Sequence, residues 1–272
     1  MSRKSTRSER CGAFRQLHHT SRPLLLPNAW DFASAMAFAD AGHVAVGTTS
    51  LGVAAAAGKP DGTSVTRAET VALARALERV PALVTVDIEG GFSDNPVAVA
   101  DLVEELYELG VVGVNLEDGR PDGSVAATDL HVRKIDAVKN RVPDLFLNAR
   151  TDTFWLPAST TDPLGEALRR GAAYTDAGAD GFFVPGVVDA EATRLIAGAV
   201  PAPLNILYRS SVRSIAELVS LRVARVSSGS WPFRMALQAA ITAGSLLDPD
   251  ADRQTVPMPS YADVQRLLTG GS

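Results

Sequence analysis

Cysteine is almost absent from this sequence, and long apolar segments are missing altogether. Cys11 is the single cysteine among 272 residues, which excludes an intramolecular disulfide and any metal site built from several cysteines. No run of about 18 apolar residues occurs, and no apolar run of signal-peptide length follows the basic start MSRKSTRSER. We therefore expect a soluble, cytoplasmic protein without a membrane-spanning segment.

Basic charge is also scarce. The chain has 26 Lys and Arg against 31 Asp and Glu, a formal net charge of −5, which gives no electrostatic reason to bind nucleic acid or an anionic membrane. Its 46% hydrophobic composition can form one large core. These properties fit an enzyme that acts on a small molecule better than a protein that binds nucleic acid or a membrane. The first ten or so residues are expected to be a disordered tail.

Short apolar runs ending in Gly, Asn, Asp or Ser recur eight times and predict strands. They span residues 24–27, 44–48, 83–88, 113–117, 145–149, 181–184, 204–207 and 224–227. Helical patterns follow them at 31–41, 66–79, 97–109, 130–141, 162–177, 189–199, 214–221 and 231–247. This alternation requires parallel strands with crossover helices.

The count of eight favours a closed barrel over an open, doubly wound sheet, and no G-x-G-x-x-G follows the first strand. We therefore predict an α/β fold, a (β/α)8 TIM barrel. Residues 1–20 are expected to be a tail and lead-in, 21–248 the catalytic barrel, and 249–272 a C-terminal extension with a short helix at 261–268.

Acidic side chains follow two neighbouring predicted strands, at the barrel end where such folds carry their reactive groups. Asp87 and Glu89 lie two residues apart in VTVDIEGGF, and Glu117 and Asp118 close GVNLED. Residues two apart on a strand point to the same side. Converging carboxylates repel one another unless a cation lies among them, and oxygen ligands favour Mg²⁺ or Mn²⁺. The alternative is that these acids cap the following helices.

Arg150 ends the fifth strand in LFLNARTDT. Beside a metal site, a guanidinium can grip a substrate carboxylate with two hydrogen bonds. A structural ion pair with Asp152 or one of the acids is the equally weighted alternative. After the second strand, the loop TTSLGVAAAAGKPD is rich in small residues, whose backbone N–H groups can approach a ligand closely. Asn205, Tyr208 and Arg209 near the seventh strand end are further candidate substrate contacts.

Together these segments resemble the isocitrate lyase/phosphoenolpyruvate mutase superfamily from about residue 14 to 244. The segments that carry the resemblance are LLLPNAWDFASA, TTSLGVAAAAGKPD, VDIEGGF, NLED and NARTD. It implies that Thr49, Ser50 and Leu51 bind the substrate carboxylate and oxyanion, and that Asp61 approaches the substrate or the metal shell. It also implies that Arg150 pairs with the departing or migrating group, and that Mg²⁺ is held largely through water by Asp87, Glu89 and Glu117. In this family the last barrel helices are exchanged between subunits, which implies a homodimer or homotetramer.

Departures from the family pattern narrow the activity. The loop after the fourth strand reads GRPDGSVAATD and lacks the Lys-Arg-Cys-Gly motif of isocitrate and methylisocitrate lyases. Asn115 stands where those lyases have histidine, and Pro185–Gly186 where they have Pro-Glu. Glu89 replaces a second aspartate. Neither lyase activity is therefore expected.

The resemblance leaves four functions open. The first is a Mg²⁺-dependent carbon–carbon lyase that acts on a small 2-oxo- or 2-hydroxy-carboxylic acid through an enolate oxyanion. The others are a carbon–phosphorus mutase or hydrolase of the phosphonopyruvate type, hydroxymethyl transfer to an oxo-acid, and an oxo-acid-binding protein with reduced catalysis. The short loop after the fourth strand supports the last, because a loop that cannot close leaves water in the site.

Overall fold

The computed structural model describes residues 6–156, 160–209, 214–247, 258–260 and 263–266. Nine parallel strands form one sheet: β1 (Leu24–Leu26), β2 (Asn28–Ala29), β3 (Ala45–Thr48), β4 (Leu83–Asp87), β5 (Gly113–Glu117), β6 (Phe146–Arg150), β7 (Gly181–Val184), β8 (Leu204–Leu207) and β9 (Val223–Ser227). Pro27, which has no N–H to donate, divides the first predicted strand into β1 and β2. Since β1 pairs with β9 and β2 with β3, the sheet curls into a barrel. The predicted (β/α)8 fold is confirmed.

The helices alternate with the strands: α1 (Arg7–Gln16), α2 (Phe32–Asp40), α3 (Ser50–Ala56), α4 (Arg67–Leu77), α5 (Pro96–Glu108), α6 (Thr128–Arg141), α7 (Pro163–Asp176), α8 (Ala190–Ala199), α9 (Ile215–Ser220) and α10 (Trp231–Ser245). α5 shows how sequence sets their bounds. Asn95 caps it by accepting from the Val97 N–H, and Pro96 occupies its first turn. It buries one apolar face, Val99, Leu102, Val103 and Leu106, against the barrel.

The N-terminal segment corrects one prediction. The expected disordered tail is wrong from Arg7 on, because α1 begins there, stabilised by a capping box between Thr6 and Glu9; residues 1–5 lie outside the described part. α1 covers the N-terminal end of the barrel, with Phe14 edge-on to Phe146 at 5.4 Å. The division of the chain at residues 20 and 248 stays a prediction.

Two further findings concern the helices. Of the predicted helix at 261–268, residues 263–266 are described and are helical, and the rest lies outside the described residues. Within the described ranges, no helix combines the length and apolar character that crossing a bilayer requires.

Candidate active site

A cavity of about 120 Å³ opens among residues that end the strands and begin the loops after them. Its lining residues are Asn28, Thr49, Ser50, Leu51, Asp61, Asp87, Asn115, Arg150, Trp155, Phe183, Pro185, Leu207, Ser227, Gly229 and Ser230. Most of the candidates from the sequence therefore meet in one place. The candidates that do not line it are Glu89, Glu117, Asp118, Asn205, Tyr208 and Arg209.

Asp87 is the acid that ends β4 and faces the cavity. Among the described residues, its carboxylate accepts one hydrogen bond, from the Glu89 backbone N–H at 3.2 Å. Burial raises the pKa of Asp87 to about 6; Arg150 opposes this shift, and the negative charges of Asp61 and Glu89 add to it. Asp61 and Asp87 thus share the cavity wall as electrostatically interacting carboxylates.

Glu89 is not part of that wall. Its carboxylate accepts hydrogen bonds from the Ser64 N–H at 2.9 Å and the Thr66 hydroxyl at 2.6 Å. The expectation that Asp87 and Glu89 point to the same side required an extended strand through both residues. β4 ends at Asp87, and Glu89 has a left-handed backbone with φ of 48°. The strand alternation on which the expectation rested therefore does not extend to Glu89.

Glu117 and Arg150 form the centre of a buried ion cluster. Arg150 forms an ion pair with Glu117, with 2.6 Å between nitrogen and oxygen, and donates two hydrogen bonds to Asp152, at 2.6 and 3.0 Å. Burial raises the pKa of Glu117 well above its usual range, and Arg150 only partly offsets this. The structure therefore contains the ion pairs that were the alternative prediction for Arg150. The Arg150 side chain also lines the cavity, and its guanidinium carbon lies 5.7 Å from the centroid of the Phe183 ring.

Asp118, the fourth acid of the predicted cluster, points to the other side of β5. It accepts hydrogen bonds from Arg170 at 3.0 Å, Tyr174 at 2.7 Å and the Asp152 N–H at 2.9 Å. Its side chain is completely buried. Asp118 therefore supports the loop that holds Asp152 and does not face the cavity.

The donor set can be tested against a divalent cation. Within the described ranges, no three His, Cys, Asp or Glu side chains lie close enough to bind one metal ion directly. Three direct carboxylate ligands do not fit, because the Glu89 carboxylate is already hydrogen-bonded to Ser64 and Thr66 and the Glu117 carboxylate is paired with Arg150. A cation bound by Asp87, with water between it and the other carboxylates, does fit: the carboxylate has spare acceptor capacity, and its acidic neighbours destabilise its charged form.

The segment from Thr49 to Leu51 lines another part of the cavity. The sequence suggested a Gly/Ala-rich loop, whereas Ser50 begins α3, since the alanines that follow favour a helix. Helical geometry leaves the N–H groups of Ser50 and Leu51 without partners inside the helix. They remain available as donors to a bound oxygen.

Beneath the cavity lies a buried polar layer that the sequence analysis did not assemble. Asn205 was predicted to contact the substrate, but it does not line the cavity. Its side-chain amide donates to the Ser227 hydroxyl at 3.1 Å. Arg225 lies fully inside the barrel and donates to Ser227 at 2.9 Å and Asn115 at 3.2 Å. Inward-pointing residues of β5, β8 and β9 would have been the sequence signal for this layer.

The loop after β5 forms a short hairpin, with Gly119 bridged to Val125. Arg120 ties it to Asp94 at 3.1 Å, and Asp94 also pairs with Lys134. The hairpin contributes no residue to the cavity wall. Trp155, from the loop after β6, does contribute, and neither it nor Phe183 was among the predicted site residues.

Comparison with known proteins places the fold in a family. The family model described as phosphoenolpyruvate phosphomutase matches residues 14–246. An uncharacterised protein of Mycobacterium tuberculosis is 42% identical over 259 residues, 94% of this chain and 96% of that protein. The 2-methylisocitrate lyase of Halalkalibacterium halodurans is 33% identical over 208 residues, 73% of this chain and 67% of the lyase.

A crystal structure of a phosphonomutase-like protein from Burkholderia cenocepacia superposes with a TM-score of 0.80 at 37% identity, covering 88% of this chain and 99% of that one. The fold, the strand-end cavity and these matches lead to one conclusion: the chain belongs to the phosphoenolpyruvate mutase family, within the isocitrate lyase/phosphoenolpyruvate mutase superfamily.

Proposed function

We propose that the chain is a Mg²⁺- or Mn²⁺-dependent carbon–carbon lyase that acts on a small 2-oxo- or 2-hydroxy-carboxylic acid through an enolate oxyanion. One observation carries the proposal: Asp61, Asp87 and the first turn of α3 face the same small cavity. The similarity to a 2-methylisocitrate lyase supports the reaction class. The activity of that relative itself is not proposed, because its Cys-containing loop and Pro-Glu pair are missing here.

Each lining group has a proposed task. The N–H groups of Ser50 and Leu51, with the Thr49 hydroxyl, would bind the substrate carboxylate and the developing oxyanion. Arg150, held rigidly by Asp152 and Glu117, would present its remaining N–H groups to the departing fragment. Asp61 would accept the proton of the hydroxyl on the carbon that becomes a carbonyl.

The metal would be held by Asp87 directly and by Asp61, Glu89 and Glu117 through water. When bound, it would supply positive charge beside the oxygen on which the enolate develops. In the proposed cleavage, the carbon–carbon bond next to the hydroxyl-bearing carbon breaks. Its electron pair would stay on the other carbon of that bond, where an adjacent carboxylate or oxo group of the substrate holds it as an enolate, and that carbon would then take the proton that Asp61 accepted from the hydroxyl.

Mass spectrometry of the chain incubated with single oxo- and hydroxy-acids, with Mg²⁺ or with EDTA, tests this proposal. We expect cleavage that EDTA abolishes and that Asp87→Asn reduces by at least about a hundredfold. The matched control, Asp101→Asn, changes an exposed acid paired with Arg141 on the outside of the barrel and should leave the rate unchanged. Turnover that survives EDTA would contradict the metal role, and ³¹P NMR with phosphonopyruvate would detect a carbon–phosphorus reaction instead.

A second candidate is an oxo-acid-binding protein with reduced catalysis. The hairpin after β5 favours it, since that loop is tied down by the Arg120–Asp94 pair and contributes nothing to the cavity wall. Binding of an acid without any product in the same assay would support this candidate over the lyase.

The proposed assembly is a homodimer or homotetramer in which α10 is exchanged. α10 presents apolar side chains to solvent: Met235, Leu237 and Ile241 are 55%, 50% and 65% exposed. A barrel helix normally covers the sheet beside its own strand. Here an apolar groove of about 490 Å³ lies over β1 and β9 instead, lined among others by Leu25, Phe38, Ile215, Leu218 and Trp231.

The helix of a second copy would cover both apolar surfaces at once. We expect light scattering to report an oligomer that Ile241→Glu dissociates. Val97→Glu, at a similarly exposed position on α5 (55%), is the control and should leave the mass unchanged. A monomeric parent chain at micromolar concentration would refute the exchange.

A further inference from the structure

Arg225 is a buried cation without a direct acidic partner. Its side chain is completely buried inside the barrel, and within the described part of the chain no carboxylate forms an ion pair with it. Burial lowers the pKa of Arg225 to about 9, and the charge of Asp87 partly offsets this, so the guanidinium is protonated at neutral pH. A buried charge without a direct partner costs stability. Stability therefore does not explain an arginine at this position, and residues that break such a rule are typical of functional sites.

Two nitrogens of Arg225 contact residues of the cavity wall. Nε donates to the Ser227 hydroxyl at 2.9 Å, and Nη2 donates to Asn115 Oδ1 at 3.2 Å. Asn115 and Ser227 both line the cavity, whereas Arg225 does not. A guanidinium can donate hydrogen bonds but cannot accept them. The Asn115 side-chain atom that faces Arg225 must therefore be the carbonyl oxygen, which fixes the orientation of the amide.

Asn148 reinforces the same orientation. Its Nδ2 atom donates to the same oxygen of Asn115 at 2.9 Å. The Asn148 oxygen occupies room that Gly181 leaves, since a Cβ at Gly181 would lie 2.6 Å from it. A flipped Asn115 amide would turn its N–H groups toward two other donors, and buried groups without acceptors are costly. Arg225 and Asn148 together therefore hold the Asn115 amide in one orientation.

The amide nitrogen of Asn115 has no partner in the protein. Within the described ranges it donates to no protein group, and Asn115 lines the cavity. Its N–H groups can therefore bind an oxygen of a ligand there. The positive charge of Arg225 lies behind the carbonyl of this amide and polarises it, which strengthens the N–H groups as donors. The acceptor that such a donor favours is a negatively charged oxygen, a carboxylate or an enolate.

We infer that Arg225 is a positioning residue that holds the Asn115 amide with its N–H groups toward the cavity, where they bind a negatively charged oxygen of the substrate. This inference deepens the proposed function and rests on it for the ligand, a small oxo- or hydroxy-acid. Asn115 adds a donor from β5 to the cavity wall that also carries Arg150 and the first turn of α3. Arg225 itself does not touch the substrate.

Calorimetric titration of the full chain, in Mg²⁺, with pyruvate, malate and oxalate tests the donor. Asn115→Asp keeps the shape of the side chain and an oxygen toward Arg225 and Asn148, but it replaces the N–H groups by an oxygen that repels an anion. We expect affinity for the acids that the parent binds to fall at least about tenfold, since a hydrogen bond to a charged group is lost. Asn140→Asp, the same change at an exposed position on α6, should leave affinity unchanged.

Parent-like binding by a folded Asn115→Asp chain would overturn the inference and leave the proposed function standing. A parent chain that binds none of the three acids would overturn both. If Asn115→Asp does not fold by circular dichroism, Asn115→Ala decides by the same tenfold criterion.

A double-mutant cycle separates positioning from a structural or purely electrostatic role of Arg225. Arg225→Met should weaken binding of the same acids about tenfold, because the Asn115 amide is released. In the Asn115→Ala background, where no amide remains to be held, the same change should weaken binding by about threefold or less. Equal losses in both backgrounds would show that Arg225 acts through its charge or through the fold, and would refute the positioning role. An Arg225→Met chain that does not fold would give Arg225 a structural role and would also overturn the assignment.

Discussion

Replacing Asp118 by asparagine tests whether a buried network holds the active-site loop in place. The Asp118 carboxylate is fully buried and accepts hydrogen bonds from Arg170, Tyr174 and the Asp152 N–H. Asparagine has the same shape but only one acceptor oxygen, and its amide nitrogen would face donors. Arg170 would keep its exposed-side partner Glu166 and lose its buried one.

Removing one partner of a buried ion pair costs about 3–5 kcal/mol, because the other charge stays buried without compensation. Asparagine keeps one of the hydrogen bonds, so we expect Asp118→Asn to lower the free energy of unfolding by about 3 kcal/mol. In a chain of this size that corresponds to a melting temperature roughly 6–12 °C lower.

Urea unfolding followed by circular dichroism measures this difference, with thermal melting as a second reading. Asp101→Asn is the matched control, because Asp101 makes an exposed pair with Arg141, and exposed pairs contribute about 1 kcal/mol or less. The double variant Asp118→Asn, Arg170→Met should recover part of the loss, since it removes the stranded charge. An Asp118→Asn variant as stable as Asp101→Asn would refute the account of this network.

Three further predictions concern other buried groups. Burial lowers the pKa of His131 and of His18 from 6.5 to about 3. Below pH 6.5 the unfolded chain therefore binds more protons than the folded chain. The free energy of unfolding should fall as the pH drops from 6.5 toward 3, by about 2 kcal/mol per histidine at pH 5. His131→Phe should weaken this acid dependence in urea unfolding near pH 5 and near pH 7, and an unchanged slope would count against it. Burial raises the pKa of Cys11 to about 11, so iodoacetamide should alkylate it more than about a hundredfold more slowly in the folded chain than in urea, unless α1 detaches. Arg225→Met should keep a free energy of unfolding within about 1 kcal/mol of the parent, measured by urea unfolding, because it removes a desolvated charge. Asn115 and Ser227 each keep another hydrogen bond. A loss above about 3 kcal/mol would show that the guanidinium is essential to the barrel interior.

The barrel could be predicted from the sequence because each strand is a short, nearly continuous apolar run followed by an amphipathic helix. The positions of Asp87, Arg150 and the Thr49–Leu51 segment at one cavity followed from that, since they end strands or begin the loops after them, whereas Asp61, which lies after α3, was implied by the family resemblance. α1 was not predicted because most of its residues are polar. Its small buried face, Cys11 and Phe14, is apparent only once the helix packs on the end of the barrel.

Side-chain directions at the strand ends could not be predicted. The alternation that placed Asp87 and Glu89 together fails where β4 stops, and the left-handed backbone of Glu89 is a local, non-periodic feature. Whether Arg150 pairs with protein or ligand depends on the distance to Asp152 and Glu117 after folding. Trp155 gave no signal, because an isolated aromatic residue in a loop has no period to analyse.

The N-terminal helix α1 has a consequence for the order in which the products of the proposed reaction would leave. Phe14 and Phe146 pack edge to face at the base of the barrel, with His18 stacked on Phe146 at 4.1 Å, so the cavity communicates with solvent at its opposite end. In the proposed cleavage, the two fragments would leave a cavity that is closed at its base one after the other, the outer one first. The fragment bound at the cavity floor would then compete with fresh substrate for the free protein, whereas the outer fragment would inhibit noncompetitively.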